Sequence, residues 1–375
     1  MNAIPLLLLS VFAVAVVLGI AAQSSRFCLH GGLRDAMFQG DARRLAAYVL
    51  AIGVAVLATG LAQMTLGQPL EPVRPPYTSG SLALGRYLIG GFVFGIGMML
   101  ARGCPLRNLV RVAQGSLQAV PVLVVMALSA YAMTRTPLFE TAFAPWIGAW
   151  SVDLHKLGYA HQDLATLLGL TSPLARAALA LVVAAVLIFL TVRHLPLRSA
   201  RTLLVTSVVI GLVIAAGYWL TGGPLGAKAI DDASFMSMPP DGMGVQSFTF
   251  SAPLGDTTYF LMHPSMQTLS FGVVAVGGVL LGVLLSSLLR GEFKWEPNVD
   301  PRILVRQVIG GLLAGGSAVL GLGCTVGNGL SGLAVLSLGS LLSMIAMVVG
   351  AWGTLKVEAL LVCQPTAPAG AKKAA

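Results

Sequence analysis

Charge is what this sequence has least of. Only 10% of its 375 residues are Asp, Glu, Lys or Arg, against about 25% in soluble domains. With 56% hydrophobic residues and a mean hydropathy of +0.86, a water-soluble globule is excluded and the chain reads as an integral membrane protein. Cysteine is scarce too. Cys28, Cys104, Cys324 and Cys363 are far apart with no C-x-x-C pair, which argues against a disulfide framework or a tetrahedral zinc site. His30, two residues past Cys28, has no other ligand near it in sequence, so neither metal nor cofactor is expected. No buried Asp or Glu stands inside a span as an obvious proton carrier. The first apolar segment lacks the basic leader and cleavage pattern of a signal peptide and reads as a retained span. The formal charge of +9 sits on residues placed singly between apolar runs, which points to membrane topology rather than to nucleic acid.

A bilayer span needs about 20 mainly apolar residues. Nine segments qualify: residues 4–22, 45–66, 88–101, 117–133, 174–192, 203–220, 269–289, 304–322 and 341–361. The third is short unless it starts near Leu82. Arg26, Arg34, Arg43 and Arg44 follow the first span, and Arg102, Arg107 and Arg111 the third. Arg193, Arg198 and Arg201 follow the fifth, Arg290 and Lys294 the seventh, and Lys372 and Lys373 end the chain. Every odd-numbered connection is thus the basic one, so the amino terminus is expected outside and the carboxyl terminus in the cytoplasm.

The chain also contains a repeat. Arg86, Ile89, Gly90, Gly91, Gly95, Gly103, Cys104 and Asn108 recur at one constant offset as Arg306, Ile309, Gly310, Gly311, Gly315, Gly323, Cys324 and Asn328. Spans three and eight are an odd number of crossings apart, so the copies should face opposite ways. Paired interrupted apolar segments point to a transport site near the midplane. A third break, Gln23–Gly40, carries Cys28 and has the form of a short re-entrant helix. Its inverted counterpart, Thr221–Thr268, has methionines instead: Met236, Met238, Met243, Met262 and Met266. They read as packing more readily than as a soft-ligand cluster.

A helix that starts at a break directs unpaired N–H groups into it, each end acting like about half a positive charge. Arg26, Arg102 and Arg107 near the mouths add to this. Gly103, Gly323 and Gly327 let backbone approach closely, and Asn108 and Asn328 occupy matched places. The combination suits a small anion, while the plainer reading is that Gly-Cys turns only pack helices together. A thiol matches sulfate or phosphate oxygens poorly and the terminal sulfur of a sulfur-bearing anion better. Cys363 reads as a buried hydrophobe, and Glu358 as a helix end or a coupling group.

Arg26-Phe27-Cys28 with Leu33-Arg34-Asp35, Arg102-Gly103-Cys104 and Gly323-Cys324-Thr325-Val326-Gly327-Asn328-Gly329-Leu330-Ser331-Gly332 resemble the YeeE/YedE family of sulfur-transport membrane proteins. The resemblance implies an all-α polytopic protein of about nine transmembrane helices plus short re-entrant helices. It implies an inverted, hourglass-shaped arrangement in a bacterial inner membrane, and uptake of thiosulfate without enzymatic change. It further implies Cys28, Cys104 and Cys324 as a relay through S–H hydrogen bonds, and a small cytosolic sulfurtransferase of the TusA type as partner. The expected units are 1–134 with the Cys28 and Cys104 loops, 135–200 as an outer segment and linking span, 201–363 as the inverted half, and a disordered tail at 364–375. Two other readings stay open: a membrane thiol enzyme passing on a persulfide, and a passive small-anion channel.

Overall fold

A computed structural model describes residues 3–192, 200–296 and 300–362. Arg193, Arg198, Cys363, Lys372, Lys373 and the expected tail lie outside the described residues.

The chain is all-α and polytopic. Its helices are α1 (Ala3–Ser24), α2 (Leu29–Phe38), α3 (Arg43–Leu66), α4 (Gly91–Leu100), α5 (Pro105–Ala113), α6 (Ala119–Arg135), α7 (Ala144–Ile147), α8 (Leu164–Leu167), α9 (Pro173–Val192) and α10 (Arg201–Gly222). They continue as α11 (Pro224–Ser234), α12 (Ala252–Met262), α13 (Phe271–Leu289), α14 (Pro301–Leu320) and α15 (Leu338–Val362). Among the described residues eight helical runs are long and apolar enough to cross a membrane. The fourth expected span, α6, has 17 residues and makes a ninth when joined to its continuation Phe139–Trp150, bent by 74°.

The third span gains its length differently from the expectation. Leu82 is not helical but lies in a short strand, Ser81–Ala83, paired antiparallel with Ser151–Asp153. Helix begins at Arg86 with a wide π-helical turn, Arg86–Gly90, that runs into α4.

Large apolar side chains such as Leu9, Leu174, Phe189 and Leu289 are exposed on the outer surface, as lipid-facing residues are. Small residues fill the interior instead, since without a hydrophobic drive between helices close backbone packing holds a membrane bundle together. The repeat shows why its glycines recur. Gly90 abuts the backbone of Leu320 and Gly321, and its repeat partner Gly310 abuts Leu100 and Ala101. Gly97 lies against Ala314, where an added Cβ would stand 2.6 Å from the Ala314 nitrogen. The start of α4 therefore meets the end of α14 and the reverse, so the two helices pack antiparallel. Gly91 faces the carbonyl of Ser343 on α15 as Gly311 faces that of Val122 on α6. These glycine contacts of one copy have counterparts in the other.

Gly97→Ala is expected to lower unfolding stability by about 1–3 kcal/mol, the usual cost of overpacking. Gly353→Ala, where no atom lies within 4 Å of the added Cβ, should leave it unchanged. Thermal unfolding of the two purified variants measures the difference.

Candidate functional site

Cys28, Cys104 and Cys324 each follow a helix end of one design. The residue two before it is in the left-handed region: Arg26 (φ 49°), Arg102 (φ 56°) and Leu322 (φ 60°). The N–H of the residue just before the cysteine reaches back five residues, Phe27 to the Ala22 carbonyl (3.1 Å), Gly103 to Met98 (3.0 Å) and Gly323 to Ala318 (2.8 Å). The left-handed residue itself bonds three residues back. These bonds close off the last carbonyls of α1, α4 and α14 as a Schellman turn does. The cysteine carbonyl then accepts from the residue four ahead, Gly32 (3.1 Å), Asn108 (3.0 Å) and Asn328 (2.8 Å). Cys28 and Cys104 are the N-caps of α2 and α5. The sequence repeat shows two such turns, and the structure has three.

The two repeat asparagines hold their turns closed. Asn108 Nδ2 donates to the carbonyls of Gly103 (3.0 Å) and Cys104 (3.2 Å). Asn328 Nδ2 donates to those of Gly321 (2.9 Å) and Gly323 (3.1 Å), and its Oδ1 accepts from Ser340 (3.2 Å). Both are fully buried. They are positioning residues for the neighbouring cysteines.

The three turns converge. Cys28, Cys104 and Cys324 are all buried in one core. The Cys28 and Cys104 side chains lie beside each other, and Thr325 lies beside Cys104. Cys324 is close enough to Cys104 for their charges to interact. Tyr48 on α3 ties the turns together. Its ring stacks on Phe27 at 5.3 Å between centroids, and its hydroxyl donates to the Thr325 carbonyl at 2.6 Å.

Tyr48 and Thr325 escaped the sequence reading. Their signal is a hydroxyl in an otherwise apolar run, which must find a partner when buried. Arg44 escaped it as well. Its guanidinium donates to the Arg26 carbonyl (2.6 Å) and to Asp35 (2.9 Å), clamping the Cys28 turn.

The glycines of the last motif have a different occupant from the one expected. A Cβ on Gly327 would strike the hydroxyls of Tyr77 and Thr249, and one on Gly329 the hydroxyl of Tyr48. These positions admit hydroxyl groups to the turn. Burial pushes the Tyr77 phenol well above its ordinary pKa, so it stays protonated beside Cys324.

Other expected residues divide. Arg102 lines a cavity, and Arg107 lies beside Cys28. Arg26 is exposed, its carbonyl bound by Arg44. Met236, Met238, Met262 and Met266 are exposed and gather around nothing, and Met243 packs against the core.

Two cavities approach the cysteines. One, of about 200 Å³, is lined by Arg86, Thr249, Asp256, Val319 and Leu322. The other, of about 350 Å³, is lined by His30, Met99, Arg102, Arg306 and Glu358. Arg86 and Arg306, Val319 and Met99, and Leu322 and Arg102 are equivalent positions of the repeat. The cavities are therefore related by the same inversion as the helices, and each reaches the residue two before a cysteine.

A sequence model for sulphur transport matches residues 24–353, which takes in Cys28, Cys104 and Cys324 and the lining of both cavities except Glu358. The chain belongs to this sulphur transport family. Among its relatives, the thiosulfate transporter TsuA of Spirochaeta thermophila is 28% identical over 349 residues, covering 90% of this chain and 95% of that protein. The thiosulfate transporter TsuA of Escherichia coli K12 is 24% identical over 363 residues, covering 92% and 93%. The family match spans both copies of the repeat, so membership rests on the whole bundle rather than on one motif.

Asn328→Ala strips buried carbonyls of their donor, at about 1–3 kcal/mol for each group left unpaired. Its unfolding temperature should fall well below that of Thr354→Ala, which removes only a hydroxyl bonded within its own helix turn. Equal temperatures would show that Asn328 does not hold the turn.

Proposed function

We propose that this protein carries thiosulfate, or a closely related sulfur anion, across a bacterial inner membrane without changing it chemically. The observation that carries this reading is the burial of three thiols in one core between two inverted cavities, with Cys28 beside Cys104. The names of the two relatives support the choice of ion.

In this mechanism the ion enters the cavity at Leu322, exchanges its water shell for the hydroxyls of Tyr77 and Thr249, and meets Cys324. The terminal sulfur accepts an S–H hydrogen bond there, then from Cys104 and Cys28, and leaves past His30 and Arg102. A protonated thiol is a weak, polarisable donor. It holds a sulfur anion loosely enough to pass it on, whereas a thiolate would repel it. The distribution of basic residues supports an amino terminus outside, so that the Leu322 cavity faces outward.

Energetics bear on coupling. Moving one charge through 100 mV is worth about 2.3 kcal/mol, and a dianion entering an inside-negative cell faces roughly twice that. Among the described residues no carboxylate lies beside the three thiols. Net entry then draws on consumption inside, the role of a cytosolic sulfurtransferase of the TusA type.

Counter-flow of labelled thiosulfate in proteoliposomes tests the reading, with sulfate and sulfite as competitors. Cys104→Ala and Cys324→Ala should each cut uptake by about tenfold to a hundredfold, the value of one hydrogen bond to a charged group. Wild-type uptake in both variants would remove thiol hydrogen bonding from the mechanism. Mass spectrometry after substrate exposure separates the rival thiol enzyme, since transport leaves no added sulfur on the cysteines.

A further inference from the structure

The two cavities differ in charge. Asp241 and Asp256 share the Leu322 cavity with Arg74 and Arg86, and both acids are paired to Arg135 at 3.0 and 2.7 Å. The other cavity gathers Arg34, Arg102, Arg302 and Arg306 against the single carboxylate of Glu358. Glu358 is taken up by Arg306 in an ion pair. Arg34 and Arg102 stand close enough to Arg306 to repel it. Among the described residues no carboxylate pairs with Arg34, Arg102 or Arg302. Like charges gathered in one concave space disfavour that arrangement when it is empty, and a bound anion relieves it.

Gln307 supplies a second, independent observation. It lines the same cavity, is only 1% exposed, and neither its Nε2 nor its Oε1 has a hydrogen-bond partner. A buried amide left unpaired costs about 1–3 kcal/mol per group. Gln307 also stands where the first repeat copy has Tyr87, which is engaged by Gln162 at 3.3 Å. The orphaned amide is thus a departure from the repeat confined to the charged cavity.

We infer that this cavity is an anion site distinct from the three thiols, built for a sulfate- or phosphate-type oxyanion. The donors are guanidinium groups and one amide. Guanidinium forks match paired oxygens, and no cysteine lines the space. Oxygen, not sulfur, is the atom this chemistry selects. The volume of about 350 Å³ admits a free tetrahedral ion or the phosphate of a lipid headgroup, and both present the same oxygens. The cavity is also the exit of the path proposed above, past His30 and Arg102, but binding here is measured separately because it requires neither a thiol nor passage.

The test is thermal unfolding of the purified full chain in neutral detergent at constant ionic strength. Sodium sulfate, inorganic phosphate and phosphatidylglycerol are titrated separately against sodium chloride. A saturable rise in unfolding temperature with sulfate or phosphate supports the site and assigns it to a free ion. A rise with phosphatidylglycerol alone supports it and assigns it to a headgroup. In Arg34→Gln with Arg302→Gln the apparent dissociation constant should weaken by at least about tenfold, the value of one charged hydrogen bond. Both side chains are exposed, so the unliganded protein should unfold as before. Gln307→Leu should weaken the same ligand while removing the unpaired amide. No saturable rise with any of the three ligands, or an undiminished one in the double variant, overturns the inference. Failure here would leave thiosulfate counter-flow untouched, and failed counter-flow would leave this binding untouched.

Discussion

Backbone polar groups in a membrane interior must be satisfied by the protein itself, and that requirement governs the centre of this molecule. Three helices end at cysteines buried in one core, and each disposes of its last carbonyls through one bond pattern that ends on a cysteine. A break made in this way leaves a short extended residue whose side chain is free to face its neighbours. The thiols are therefore presented by the very turns that make helix termination tolerable. Asn108, Asn328 and Arg44 then bind carbonyls of those turns.

Close packing brings the turns together. Glycines on α4 and α14 remove the side chains that would hold the helices apart, and the Cys104 and Cys324 turns that follow their opposite ends share one core. Tyr48 spans the gap, with Phe27 on one side and Thr325 on the other. Inversion of the repeat also yields two cavities from one design. The matched positions are unlike: Leu322 in one answers Arg102 in the other, and Gln307, which lines the second, answers Tyr87, which is bonded by Gln162 instead. One cavity balances its charges and the other carries an excess of guanidinium, so the two mouths present different fields to a passing anion.

The membrane class, the places of eight of the nine expected spans, the repeat and the breaks at Cys28, Cys104 and Cys324 were legible in the sequence. Apolar runs have to be long enough to cross lipid, and glycine, cysteine and asparagine recur at fixed spacing, so each of these features leaves a linear trace. Less legible were the boundaries of the third span, because Leu82 and Arg86 are close in sequence yet one pairs as strand and the other opens a π-helical turn. The likeness of the Cys28 turn to the other two was hidden as well, since Phe27 and Gly32 stand where Gly103 or Gly323 and Asn108 or Asn328 stand elsewhere. The turn is defined by backbone bonds that different residues can make.

Periodicity and repetition along the chain by themselves determined the membrane class, the places of most spans and which cysteines interrupt the helices. Tertiary structure alone decided that the interruptions meet, that hydroxyls of Tyr48, Tyr77 and Thr249 fill the space beside the last motif's glycines, and that Arg34, Arg302 and Gln307 share one cavity. The physical reason is that hydropathy and spacing act between near neighbours on a helix, while hydrogen bonds and charges act across space between residues hundreds of positions apart.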